Sequence, residues 1–102
     1  MKVENMRSPN GYKVPNQFII TTTEISSING VEVERTAVYF QSYETIIAKL
    51  IRKLSSWQVY LDKNYWDYSV TTGKYRNIFL GETKRETEKK IKSGEYILAN
   101  LN

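Results

Sequence analysis

Up to Asp62 the chain reads mostly as strands, with apolar and polar residues alternating most clearly at Val31–Arg35, and beyond it Tyr75, Ile78 and Phe79 recur at helical spacing. Gln17-Phe18-Ile19-Ile20-Thr21-Thr22-Thr23 is rich in aromatic and β-branched side chains, which fit a pleated, half-buried surface. Asn29-Gly30 supplies two residues that tolerate positive φ, as a two-residue hairpin turn requires. Val31-Glu32-Val33-Glu34-Arg35 then alternates apolar with charged, the pattern of a strand with one wet face. Thr36-Ala37-Val38-Tyr39-Phe40-Gln41-Ser42 carries that strand into deeper burial. The pattern predicts a β-hairpin.

Residues 43–54 admit two readings. Apolar residues at 43, 46, 47, 50, 51 and 54 fall on one helical face, with Lys49, Arg52 and Lys53 on the other. Read as a strand, Ile46, Ala48 and Leu50 share one face while Ile47 and Ile51 share the other with Lys49 and Lys53. Helix and strand both stay open here. Trp57-Gln58-Val59-Tyr60-Leu61-Asp62 is again strand-like.

Residues 65–81 hold the densest aromatic run together with a helix start and stop. Ser69 or Thr71 offers a cap, Tyr75, Ile78 and Phe79 recur at helical spacing, and Gly81 sits where a left-handed residue ends a helix. Gly73 weakens that helix by about 1 kcal/mol relative to alanine, so it marks close packing or a bend. Thr83 with Glu86 forms a capping box, and the second helix runs to Ser93 before Gly94. Glu86–Lys90 and Glu88–Lys92 are spaced for ion pairs along it. The apolar tail after Tyr96 is suited to docking on the domain or pairing with another chain.

Residues 1–15, with both prolines and the turn Ser8-Pro9-Asn10-Gly11, read as a flexible N-terminal arm. The expected architecture is α+β. Residues 16–102 form a single domain in which an antiparallel sheet of three to four strands, a meander of hairpins, is followed by two short C-terminal helices.

Composition narrows the chemistry. A chain of 102 residues supports one modest core. It has no cysteine, hence no disulfide and no thiolate chemistry, and no histidine, which removes the usual general base and the commonest metal ligand. Carboxylates alone suit magnesium or calcium, but no EF-hand spacing is present, so neither metal nor cofactor is expected. A net charge of +4 and a pI near 9.3 permit nucleic-acid contact without demanding it, and exclude an acidic DNA mimic. The chain starts without an apolar run of signal-peptide length and holds none that would span a membrane, so the expected location is the cytoplasm, with no membrane partner.

Asp62 and Asp67 flank the aromatic corner and raise the question of a carboxylate pair for glycoside hydrolysis. Their positions, after a strand and before a helix, suit backbone capping better, and no enzyme is expected. A contact surface fits the residues better. Lys74, Arg76, Lys84, Arg85, Lys89, Lys90 and Lys92 outnumber Glu82, Glu86 and Glu88 in the C-terminal third. Phosphates draw basic side chains and aromatic rings accept bases, so Lys74, Arg76, Lys84, Arg85, Lys89 and Lys90 with Tyr65 and Tyr68 are the candidate binding residues for a protein partner or nucleic acid. Trp66, Tyr75, Ile78 and Phe79 are expected in the core.

The segments Asn16-Gln17-Phe18-Ile19-Ile20, Tyr39-Phe40-Gln41-Ser42-Tyr43 and Tyr65-Trp66-Asp67-Tyr68-Ser69, with Thr71-Thr72, Lys74-Tyr75-Arg76-Asn77 and Phe79-Leu80-Gly81, carry a resemblance across residues 16–96. They resemble a family of small proteins of unknown function encoded by phages and prophages of Gram-positive bacteria. The sequence departs from that pattern by extra residues at 24–34 and around 53–56. The resemblance implies a compact β-then-α unit and no catalytic residues. Small phage proteins of this type often bind host machinery, so the expected role is a non-catalytic inhibitor of a bacterial defence system, such as a Cas9-type CRISPR effector, acting by protein–protein contact. The alternative is a nucleic-acid-binding accessory or regulatory protein of a phage or mobile element, with DNA or RNA as partner.

Overall fold

The computed structural model describes residues 1–102. In chain order it holds β1 (Lys2–Arg7), β2 (Lys13–Ile28), β3 (Val31–Ser42), β4 (Thr45–Arg52), β5 (Trp57–Asp62), α1 (Val70–Leu80), α2 (Lys84–Ser93) and β6 (Tyr96–Ala99). All six strands form one sheet in that same order. The first five make an antiparallel meander, and β6 pairs parallel to β5. Parallel neighbours need a long crossover, and α1 with α2 supplies it.

The fold is α+β, but the expected sheet of three to four strands is corrected to six, and from antiparallel to mixed. The helices lie between β5 and β6 instead of closing the chain. Both unexpected strands come from the chain ends. Residues 1–15, read as an arm, carry β1 and the start of β2. Val3 pairs with Ile20, Asn5 with Phe18, and Met6 is buried in the core.

The helices cover one face of the sheet. Phe40, Ala48 and Leu61 stand in one register row on that face, and with Ile47, Met6, Tyr75 and Tyr96 they form the core cluster. Phe79 of α1 stacks on Phe40 with ring centroids 5.7 Å apart. The opposite face carries a second row, one residue from each strand: Val3, Ile20, Tyr39, Lys49, Tyr60 and Ile97. No helix covers it.

Residues 45–52 are a strand, and its irregularity explains the double reading. Phe40 pairs with Ala48 but Gln41 pairs with Ile46, so Ile47 is an extra residue in a β-bulge. The bulge lets consecutive Ile47 and Ala48 both be buried, which breaks the period of two and imitates a helical spacing. The β2–β3 hairpin turns at Asn29 and Gly30, both at positive φ, and runs beyond its neighbours. Past Thr22 and Ala37 only two strands remain paired.

Candidate functional site

The corner between β5 and α1 is built on Asp62. Its Oδ2 accepts the backbone N–H groups of Asn64 and Tyr65, both at 3.0 Å. Its Oδ1 accepts Leu101 N–H at 2.9 Å and the Asn102 side-chain amide at 3.0 Å. Burial opposes ionisation, but these four bonds outweigh it and hold the carboxyl below its usual range. Asp62 thus ties the C-terminus to the aromatic corner.

The chain reaches α1 through Asp67 and Ser69. Ser69 is the N-cap, its side chain accepting Thr72 N–H at 3.1 Å, and Gly81 ends the helix in the left-handed region. Asp67 Oδ1 meets Arg76 Nη1 at 3.0 Å and its Oδ2 meets Lys84 Nζ at 2.6 Å. Burial raises the Asp67 pKa, but Lys84 and Arg76 outweigh it and the carboxyl stays low. Arg76 also donates to the Trp66 carbonyl at 2.8 Å and to Asn77 Oδ1 at 3.0 Å, and its guanidinium lies 5.1 Å from the Trp66 ring. Only 1% of Arg76 is exposed.

A third acid locks the far end of the helices. The Glu82 carboxylate accepts from Lys90 Nζ at 2.8 Å, Thr87 Oγ1 at 2.5 Å and Tyr96 Oη at 2.6 Å. Burial and the Glu82 hydrogen bond push the Tyr96 hydroxyl up to about 12. The Glu82 bond raises Lys90, and Glu82 itself is held low despite burial. The expected Glu86–Lys90 pair does not form, because Glu86 closes the capping box with Thr83 and Lys90 turns to Glu82.

The expected site residues therefore separate. Arg76 is corrected from a surface cation to a buried strut, and Lys84 and Lys90 are held by Asp67 and Glu82. Lys74 is exposed on α1, its Nζ 5.4 Å from the Tyr75 ring. Arg85 and Lys89 stand on α2 opposite buried Thr87 and make no ion pair. Tyr65 and Tyr68 are exposed and meet edge to face, 5.8 Å between centroids. Tyr75 is buried, and Trp66 and Phe79 pack on the core, whereas Ile78 is 43% exposed.

Ile78 belongs to a stripe that sequence reasoning did not single out. Val70, Lys74 and Ile78 follow at intervals of four along α1 and face away from buried Thr72, Tyr75 and Arg76. Val70 is 92% exposed. The stripe borders a cleft of about 790 Å³ that also takes in Pro9 of the β1–β2 turn, Tyr68 and Lys84. The available signal was the cap: once Ser69 fixes the helix start, Thr72, Tyr75, Arg76 and Phe79 define the inner face and Val70 and Ile78 must point out. The arrangement offers apolar contact flanked by positive charge. No three carboxylates gather where they would hold a cation.

No helix is long and apolar enough to cross a membrane. No curated protein and no solved structure matches the chain. A family of unknown function (DUF8033) matches residues 1–95, a span that takes in β1, which the 16–96 resemblance leaves out. The chain belongs to that family of unknown function.

Proposed function

We propose that this chain is a non-catalytic binding protein whose contact surface is the exposed stripe of α1 and the cleft beside it. One observation carries the reading: Val70 and Ile78 stand in solvent on either side of Lys74, while the charged groups beneath them are bound to one another. Exposed aliphatic side chains beside a cleft lose their contact with water when a partner covers them. Each oxygen of Asp62, Asp67 and Glu82 is engaged by at least one protein donor, which supports reading them as groups that hold the fold. The sequence resemblance to phage and prophage proteins supports a bacterial cytoplasmic setting and a host defence protein as the partner, a Cas9-type nuclease being the named case. The test is guided DNA cleavage by that nuclease with increasing amounts of the chain. Inhibition at stoichiometric amounts, lost on Val70→Glu with Ile78→Glu, supports the reading; full cleavage at large excess rejects the nuclease as partner.

A second reading rests on its own observation. Arg85, Lys89 and Lys92 form an unpaired positive stripe on the outer face of α2, and the Tyr65–Tyr68 pair is exposed at the base of α1. Basic residues with accessible rings suit DNA or RNA. A gel shift on bare nucleic acid, weakened by salt and by Arg85→Glu with Lys89→Glu, would favour this alternative.

A further inference from the structure

The face of the sheet turned away from the helices carries one transverse row too apolar for a surface left to water, between mixed rows that include Asn5, Gln41, Thr22 and Gln58. An antiparallel sheet with one solvated face alternates apolar and polar residues, whereas strands covered on both faces read as near-continuous apolar runs. β2 reads Phe18-Ile19-Ile20 and β4, past Lys49, reads Leu50-Ile51, runs that the bulge at Ile47 does not account for. Ile19, Ala48 and Leu50 face the helices, which leaves Phe18, Ile20 and Ile51 on the open side. There the transverse row from Val3 to Ile97 holds apolar or aromatic side chains at every strand but one.

The exception, Lys49, is already neutralised. Its Nζ lies 3.1 Å from Glu24 and 5.4 Å from the Tyr39 ring, and the Tyr39 hydroxyl donates to the same Glu24 carboxylate. Phosphates would meet no unpaired cation in this row, Arg35 standing four residues along β3 from Tyr39, and unpaired cations are what give nucleic acids their affinity. A charge-depleted, tyrosine-bearing centre has instead the composition of a protein interface core.

We propose that the open face is a homodimer interface on which a second copy lays its own open face, giving two stacked sheets with the helices outside. A two-fold contact requires a patch complementary to itself, and a row with its one ion pair closed internally meets that requirement. The size is also adequate. Six strands about 4.8 Å apart, taken over about 20 Å of strand, give a footprint of about 580 Å² before side-chain relief is added, comparable with the ~800 Å² that each partner buries in a standard interface. Face-to-face packing at about 10 Å is the ordinary spacing of two sheets. This goes beyond the reading of the α1 cleft, which lies on the helical side and stays free in such a dimer. Two clefts would then face outward on one assembly, a bivalent arrangement.

The test is sedimentation equilibrium of the full chain over a concentration series. The expected mass is twice 12.0 kDa at about 100 µM, with a dissociation constant of about 10 µM or tighter. Val3→Glu with Ile97→Glu places charge at both ends of the row, at positions 54% and 41% exposed, and weakens the dimer about tenfold or more. Leu98→Glu is the matched control, since Leu98 is 43% exposed on the opposite face, and leaves the dimer unchanged. Melting curves matching wild type establish that the variants fold, and Val3→Glu alone serves should Ile97→Glu disturb β6. A monomer at every concentration overturns the proposal. So does a dimer that Leu98→Glu weakens as much as the double variant.

Discussion

Asp67 lies 3.0 Å from the Arg76 guanidinium, deep enough that the arginine is almost wholly out of water. The pair joins the loop after β5 to the second turn of α1, and Lys84 closes it from the start of α2. Removing one partner of such a pair strands the other in a medium that solvates it poorly. Arg76→Ala also frees the Trp66 carbonyl and Asn77. The expected loss is about 3–5 kcal/mol in urea denaturation, against about 0.5 kcal/mol or less for the solvent-facing Arg85→Ala. Equal losses in the two variants would return Arg76 to the surface.

Acid sensitivity follows from three hydrogen-bonded carboxylates: Asp62 is buried, the Glu82 side chain nearly so, and Asp67 partly exposed. Asp62, Asp67 and Glu82 all have folded-state pKa values below the ordinary range, because donors outweigh burial. Their contribution is complete above the unfolded values near about pH 4 and is lost as pH falls through the lower folded values. The melting temperature should therefore drop steeply below about pH 4, and Asp62→Asn should flatten that limb while lowering stability at neutral pH. At the alkaline end Tyr96 has the opposite sign. Its contribution is complete below the ordinary value of 10.0 and is lost as pH rises toward its folded value of about 12, so Tyr96→Phe should flatten the alkaline limb.

Gly73 neither bends α1 nor makes room for a tight approach. A Cβ there would meet Arg76 Nη2 at 3.6 Å and Asp67 Oδ1 at 3.8 Å, both ordinary contacts. Gly73→Ala should raise stability by up to about 1 kcal/mol through helix propensity, read as a higher melting temperature. A fall would mean that the Asp67–Arg76 pair needs the space.

How much of this was legible depends on whether the signal was local. Ser69, Gly81, the Thr83–Glu86 box and Asn29-Gly30 act on neighbours a few residues away, and the structure uses each of them as a cap or turn. β1 was hidden because Lys2-Val3-Glu4-Asn5-Met6-Arg7 is mostly charged or polar and becomes a strand only through pairing with β2. The bulge at Ile47 disguised β4. A basic residue is visible in the sequence, but whether its cation is free depends on partners that folding supplies, as Asp67 does for Arg76 and Glu82 for Lys90.

The β2–β3 hairpin beyond Glu24 and Arg35 pairs with no third strand, so it should be dispensable for folding. Deleting Ile25 and Ser26 together with their partners Val33 and Glu34 removes two residues from each strand and keeps every other side chain on its face. The shortened chain should melt within a few degrees of wild type, a shift of about 1 kcal/mol or less. Loss of cooperative unfolding would show that the hairpin end holds the sheet.

The measurement that bears most directly on the α1 contact surface is affinity capture from nuclease-treated bacterial extract, comparing wild type with Val70→Glu and Ile78→Glu combined. Both side chains are exposed, so the variant should keep its melting temperature. The account predicts a protein retained by wild type and absent from the variant. Retention of the same protein by both would contradict it.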